Sequence, residues 1–372
     1  MHKDTQAIHA AMEIASDAAD IVPPVHRSTV YEIDKEGRSK GDWHYTRLEN
    51  PNRVQWEHVL KVLEEGEAAA AFSSGVAAAS AVLQALSPGD HIIIPRDVYA
   101  GNRRLVNELM KPWGLQADFI DMTDLENISG HMNEKTRLIW VETPSNPMMN
   151  IMDIEAISTL AHDREAIVCV DNTWPTPVNQ LPLNLGADLV VHSTTKYFGG
   201  HSDILGGAVV AGEKGPLFDK IRLIQQIGGA VPSPDDCWLL ARSTRTLPYR
   251  MRGHNENAET LARFLEDHSR VSNVFYPGLA SHGGHKIAGK QMSGYGGMIS
   301  FLIDGGRDQA IDIVGRARLI SRATSLGGVE STWEHRRSSE GTGSETPENL
   351  IRISVGLEHP EDLLEDLEYA LG

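Results

Sequence analysis

Two cysteines in 372 residues, Cys169 and Cys237, are too few for a disulfide framework or a four-thiolate metal site; beside 11 methionines they suit a reducing compartment. Basic residues are also scarce. The 34 Lys+Arg against 51 Asp+Glu leave a net charge of −17, which argues against a nucleic-acid binder that works by neutralising phosphates. No basic stretch runs into an apolar one with a small-residue cleavage site, so the opening MHKDTQAIHAAMEI is not read as a secretory signal and a cytoplasmic protein is expected. Long apolar runs are missing too. The nearest, Ala68 to Leu86, is mostly alanine and carries Ser73, Ser74, Ser80 and Gln84, so a buried Ala-rich core helix is expected rather than a membrane span. There is no GxxxxGK[ST] and no GxGxxG coupled to a strand, which removes the main support for nucleotide or dinucleotide binding. His282 and His285 have no nearby carboxylate to complete a metal site, so no metal is expected.

With 41% hydrophobic and 23% charged residues, what remains is an ordinary globular composition with enough apolar material for a sizeable core. Residues 1–60 are broken by Pro23, Pro24, Gly37, Gly41 and Pro51 and read as an extended arm. From 61 to 247, short Val/Ile-rich runs (HIIIP, RLIWVET, AIVCVD, ADLVVHS, GGAVVAG) alternate with helical patterns such as SSGVAAASAVLQAL and IEAISTLAHD. That alternation predicts an α/β domain with a mostly parallel, buried sheet. Residues 248–372 mix amphipathic helices with a few strands and read as a smaller α+β domain, with SSEGTGSETPEN at 338–349 as a polar loop.

Polar residues gather just beyond the predicted strands. VETPSNP puts Glu142 and Asn146 there, CVDNTW puts Asp171, and VVHSTTKYFGGHSD puts Ser193, Thr195 and Lys196. In a parallel sheet, side chains at successive carboxyl ends share one crevice. A lysine held against desolvating structure becomes a nucleophilic amine, although a strand-end lysine also commonly snorkels to the surface. Asp171 is suited to pair with a pyridinium nitrogen; its plainer use is as a turn or cap former. Ser73-Ser74-Gly75-Val76 opens a helix and offers free N–H groups to an anion, or simply a serine cap. Tyr99, after HIIIP, can lay its ring on a planar group, and Arg352 in LIRISVG can clamp a carboxylate or close an inward salt bridge.

DNTWPTPVNQLPLNLGADLVVHSTTKYFGGHSDILGG closely resembles the signature of the Cys/Met-metabolism family of pyridoxal-phosphate enzymes. YTRLENP, SSGVAA, DVYAG, WVETPSNP, YPGLASH, GYGGMISF, SLGGVES and IRISVG have counterparts in the same order along nearly the whole chain. The resemblance implies a fold-type I PLP-dependent transferase that performs γ-elimination or γ-replacement on a homoserine-derived amino acid. It implies that Lys196 binds pyridoxal 5'-phosphate covalently, that Asp171, with Thr173 beside it, serves the pyridine nitrogen, and that Tyr99 stacks on the ring and relays protons. Ser74, Gly75, Val76, Ser193 and Thr195 are implied to hold the phosphate, Ser325 and Arg352 the substrate carboxylate, and Asn146 that carboxylate or the ring hydroxyl. Tyr45 and Arg47 are implied to reach the phosphate of a neighbouring subunit, in a homotetramer built from two dimers with shared active sites. Four departures bear on the substrate. Leu326 stands where bacterial β-lyases carry tryptophan, and Gly101 where methionine γ-lyases place cysteine. His44 stands where an acidic residue often reads a distal amino group, and EHRRSSEGTGS replaces an EHPASMTH-like segment. His44 and Glu330 are therefore candidate substrate-reading residues, together with the 335–345 segment.

Overall fold

The protein is described by a computed structural model that covers residues 1–13, 20–340 and 344–372. Its larger sheet contains β1 (Ala68–Phe72), β2 (His91–Pro95), β3 (Gln116–Ile120), β4 (Thr136–Glu142), β5 (Ile167–Asp171), β6 (Leu189–His192) and β7 (Gly207–Ala211), in the order β1-β7-β6-β5-β4-β2-β3. Pairings among β6, β5, β4, β2 and β3 are parallel, and β7 runs antiparallel to both its neighbours. Strands β6 and β7 are buried throughout and β5 is buried along its middle, because helices cover both faces of a parallel sheet. Two packed layers result: Leu138, Trp140, Cys169, Leu189 and Val209 face one side, and Ile139, Val141, Val168 and Val170 the other. The buried, unpaired thiols Cys169 and Cys237 behave as small apolar fillers.

The second sheet contains β8 (Val271–Phe275), β9 (Met298–Ile303), β10 (Ser321–Arg322), β11 (Thr332–His335) and β12 (Leu350–Ser354), ordered β10-β11-β12-β9-β8. Helices Leu247–Asp267, Arg307–Arg316 and Pro360–Leu371 pack on it around Phe301, Trp333 and Ile351. This mostly parallel sheet with a smaller α+β layer is the α/β architecture expected from the alternation of strands and helices.

Three local expectations are corrected. The alanine run before Ser73 is not helix: Ala68–Phe72 is β1, paired with Ala211 through Gly207, and the helix starts at Gly75. Small side chains let helix Pro51–Glu64 pack closely on this strand, and that packing overrides alanine's helix preference. The irregular stretch expected to reach residue 60 is bounded by helices Lys3–His9 and Pro51–Glu64. The second begins with Asn50 accepting the Asn52 N–H and with Pro51 in its first turn, a cap that contributes about 1 kcal/mol. The polar loop expected from 338 begins instead inside helix Arg336–Glu340, and 341–343 lie outside the described residues.

Candidate active site

The carboxyl ends of β4, β5 and β6 open into one cleft of about 260 Å³. Lys196, Asp171, Thr173, Ser74, Gly75, Val76, Ser193, Thr195, Tyr99, Asn146, Ser325 and Arg352 all line it. These residues come from seven separate stretches of sequence, and the strand order is what unites them.

The floor is tied together by one hydroxyl. Thr173 Oγ1 donates to Asp171 Oδ1 at 2.5 Å and accepts the Ser193 N–H at 2.9 Å, linking the ends of β5 and β6. The Thr173 N–H adds a bond to the same Asp171 oxygen at 3.1 Å. Burial pushes the Asp171 carboxyl up, and the Thr173 bonds resist that rise. Glu142 is its register partner on β4, and burial together with the Asp171 charge pushes the Glu142 carboxyl well up. The Glu142 carboxylate accepts the Tyr99 N–H at 3.0 and 3.2 Å, which anchors the start of the Tyr99 loop. Tyr99 itself is 42% exposed at the cleft mouth. A side chain at Gly101 would place its Cβ 2.4 Å from the Tyr99 ring, so this ring position requires glycine there.

Lys196 Nζ donates to Ser325 Oγ at 2.6 Å. Burial first, then the Arg352 and Arg336 guanidiniums, lower its amine from 10.5 to about 8. Arg352 is 4% exposed and donates from Nη1 to Asn146 Oδ1 at 2.8 Å and from Nη2 to Glu334 Oε1 at 2.5 Å. Burial lowers this guanidinium to about 10, and the opposed charges of Arg336 and Glu334 act beside it.

At the other end, the Ser74 hydroxyl caps its own helix, accepting the Ala77 N–H at 3.1 Å. Thr195 Oγ1 exchanges hydrogen bonds with Gly206 at 3.0 and 3.2 Å. Added at Gly207, a Cβ would sit 2.1 Å from the Ser74 carbonyl, so glycine lets the helix start drop onto the sheet edge. The opening N–H groups of that helix and the Ser193 hydroxyl are left to form a cradle for an anion. An anion cradle, a buried carboxylate on the floor and a desolvated amine suit one group that carries a phosphate, a basic ring nitrogen and an aldehyde.

Four nominated residues stay outside this cleft's lining. His44 and Arg47 are exposed and Tyr45 is half-buried, all within the segment between the first two helices. The Arg47 guanidinium donates to the Gln226 carbonyl and lies 5.6 Å from the Tyr45 ring. Glu330 is also absent from the lining and accepts from the Ser202 hydroxyl. Arg336, by contrast, lines the cleft; it belongs to the 335–345 segment expected to read the substrate, in which no single residue was singled out.

Against known proteins, the family model described as Cys/Met metabolism PLP-dependent enzyme matches residues 4–372. Cystathionine gamma-synthase of Mycobacterium tuberculosis is 46% identical over 374 residues, covering 99% of this chain and 96% of that one. Cystathionine beta-lyase of Coxiella burnetii is 39% identical over 379 residues, covering 100% and 98%. A solved structure of cystathionine gamma synthase from Xanthomonas oryzae pv. oryzae, in complex with aminoacrylate and cysteine, superposes with a TM-score of 0.95 at 37% identity, over 100% of this chain and 98% of that one.

Proposed function

The chain belongs to the Cys/Met-metabolism family of PLP-dependent enzymes, and on that premise we propose that it follows the γ-route, replacing or eliminating the γ-substituent of a homoserine-derived amino acid. It is a pyridoxal-phosphate enzyme of trans-sulfuration acting on a small amino-acid substrate. Among the described residues no helix is long and apolar enough to cross a membrane. The composition, with its few thiols, favours the cytoplasm.

One observation carries the γ-reading: Leu326 lines the cleft beside Lys196 and Ser325, at the position where the resemblance puts a tryptophan in typical bacterial β-lyases. Relatives named cystathionine gamma-synthase, at 44 to 46% identity, favour the same route. When bound, pyridoxal phosphate supplies the electron sink that makes hydrogens on the substrate's α and β carbons acidic. Arg352 anchors the substrate carboxylate by a charge-assisted fork, exchanging its present bonds with Asn146 and Glu334. Asp171, steadied by Thr173, holds the ring-nitrogen proton in place. The N–H groups of Gly75 and Val76, with Ser193, Thr195 and the Ser74 turn, bind the phosphate. Lys196, anchored in the resting state through its amine, is the base placed to take and return protons at the α and β carbons once that amine is free. A pKa near 8 keeps an appreciable fraction of it neutral at neutral pH. Tyr99, at the cleft mouth, would stack on the ring and relay a proton to the departing group.

Tyr45 and Arg47 complete the phosphate site of a second copy, and His44 lies beside the substrate of that copy. The exposed apolar side chains of the arm, Ile21, Val22, Val30 and Ile33, support a shared-site dimer, two of which form a tetramer. The test is a keto-acid assay on L-cystathionine. The γ-route releases 2-oxobutanoate and the β-route pyruvate, so pyruvate as the main product would overturn the reading.

A further inference from the structure

Arg53, in the first turn of helix Pro51–Glu64, is 1% exposed, far from any cleft, and has no carboxylate to itself. Among the described residues the one carboxylate within ion-pair distance is Glu57, whose Oε1 lies 3.9 Å from Arg53 Nε. That oxygen already accepts the Ala71 N–H at 2.9 Å, Arg222 Nη1 at 2.7 Å and Gln225 Nε2 at 3.0 Å. The hydrogen bonds of Arg53 go elsewhere. Nη1 donates to the Thr46 carbonyl at 2.8 Å, and Nη2 to the Leu48 carbonyl at 2.6 Å and the Arg47 carbonyl at 3.4 Å.

These three carbonyls belong to one turn. The Tyr45 carbonyl accepts the N–H groups of Leu48 and Glu49 at 2.9 and 3.0 Å, and among the described residues no backbone N–H reaches the carbonyls of 46 to 48. Like the last carbonyls of a helix, they suit a fixed cation. Two further bonds pin the same turn: the Thr46 N–H donates to the Thr29 carbonyl at 3.0 Å, and Gln226 Nε2 to the Leu48 carbonyl at 3.2 Å. Burying a guanidinium is costly where no anion bonds to it, so a residue that served packing alone would gain more from an apolar side chain. Here the buried charge is committed to the backbone that carries Tyr45 and Arg47, whose own side chains stay half-buried and exposed.

Resting on the reading that Tyr45 and Arg47 complete the phosphate site of a second copy, we infer that Arg53 is the positioning residue for that contribution. It fixes the 46–48 backbone before the copies meet, so that Arg47 reaches the neighbour's phosphate with little conformational freedom left to lose. Its effect therefore falls on the partner's site and not on the cleft of its own chain. The contacts also define the opposite assignment. Glu57 holds the Ala71 N–H on β1, the strand that runs into Ser73 and Ser74, so a residue acting through Glu57 would serve its own chain's phosphate cradle.

The test starts from the holoenzymes of wild type, R53Q and R53K. On dilution, followed by cofactor fluorescence, R53Q should show a dissociation constant for pyridoxal phosphate at least about tenfold above wild type, with R53K, which keeps the charge but not the fork, between them. Desalted R53Q should then keep less than about a tenth of wild-type activity. Pairs of variants refolded together in equal amounts with cofactor, then desalted, separate the two assignments. R53Q with Lys196→Ala should recover up to about a quarter of wild-type activity, because the mixed dimer joins an intact Lys196 to an intact arm. R53Q with Arg47→Ala should recover none, since every site then receives a defective arm. The reverse pattern, rescue by Arg47→Ala and none by Lys196→Ala, assigns Arg53 to its own cleft and overturns the proposal. Unchanged cofactor affinity overturns it too, as does loss of the folded dimer in both R53Q and R53K, which would make the residue a fold element only. Arg47→Ala with Lys196→Ala is the control. If that pair fails to recover, the shared-site reading fails and the role of Arg53 falls with it; if it is the only pair to recover, the role of Arg53 falls and the reading stands.

Discussion

The floor of the cleft and the arm over residues 20–49 are held by opposite means. Asp171, Thr173, Ser193 and Lys196 stand on the ends of strands whose neighbours, Val170 at 0% and Val191 at 1% exposed, belong to the core. One hydroxyl then locks two of those ends together. The arm has only the isolated bridges Val30–Tyr45 and Ile33–Ser39, with Val30 65% and Ile33 49% exposed. It is tied to the rest of the chain near its two ends: the Trp238 indole donates to the Pro23 carbonyl at 2.8 Å, Asn52 to the Pro24 carbonyl at 2.8 Å, Arg27 pairs with Asp235 at 2.5 Å, and Arg47 donates to the Gln226 carbonyl. The floor inherits its geometry from burial within this chain. The arm exposes apolar side chains that its own chain does not cover, and that contrast is the physical argument for a partner.

The strongest way to break this contrast is a complementation experiment. Lys196→Ala should abolish borohydride fixation of the cofactor and lower activity by more than about a thousandfold, and Arg47→Ala should also be inactive. Refolded together in equal amounts, the two should recover about a quarter of wild-type activity, because half the dimers are mixed and each mixed dimer holds one intact site. Mixtures as inactive as their parents would return Arg47 to its own chain.

Within the floor, Arg352→Ala should weaken substrate binding by about one to two decades while cofactor retention survives, since a charge-assisted bond contributes about 1.5–3 kcal/mol and the phosphate cradle lies at the other end. Steady-state KM and the visible spectrum check this together; lost cofactor with unchanged KM would contradict the anchor role.

Within the arm, His44→Glu should lower KM for L-cystathionine by up to about tenfold, because a carboxylate pairs with the distal ammonium where histidine supplies no negative charge. Unchanged kinetics would show that residue 44 faces no substrate, and that the arm contributes only Tyr45 and Arg47.

The smallest effect concerns Lys196 in the cofactor-free protein. Burial disfavours its charged form, so the reactive neutral amine grows as pH rises through about 8 and not near 10.5. Attachment of added cofactor, followed by absorbance, should accelerate about fivefold between about pH 7 and 8 and level off above about 9. A rate still climbing at about pH 10 would mean that the lysine is solvated and the floor looser than its packing indicates.

The legible parts of the molecule were those with a short-range signal. RLIWVET, AIVCVD and ADLVVHS are too rich in branched apolar residues to be anything but buried strands, so the residues that follow them had to share an end of the sheet. The Ala68–Phe72 run misled because alanine's helix preference is weak beside the packing of a close-approaching helix, which no local window contains. Arg336 sat just ahead of what read as a polar loop, and a buried guanidinium and a solvated one look alike until Glu334 and Glu340 are brought beside it.

By itself, then, the sequence determined the strand-rich α/β layout, the chemistry available at each strand end and the family, because periodicity and residue type act over a few positions at a time. Tertiary structure alone decided which of these groups meet. The order β6-β5-β4 brings Lys196, Asp171 and Asn146 into one cleft, and β12 swings Arg352 against them. Burial among those neighbours brings the lysine amine down to about 8, and the shared Glu334 oxygen sets two guanidiniums on one wall. Such effects depend on desolvation and on charges far apart along the chain, and they come into being only when the chain has closed around them.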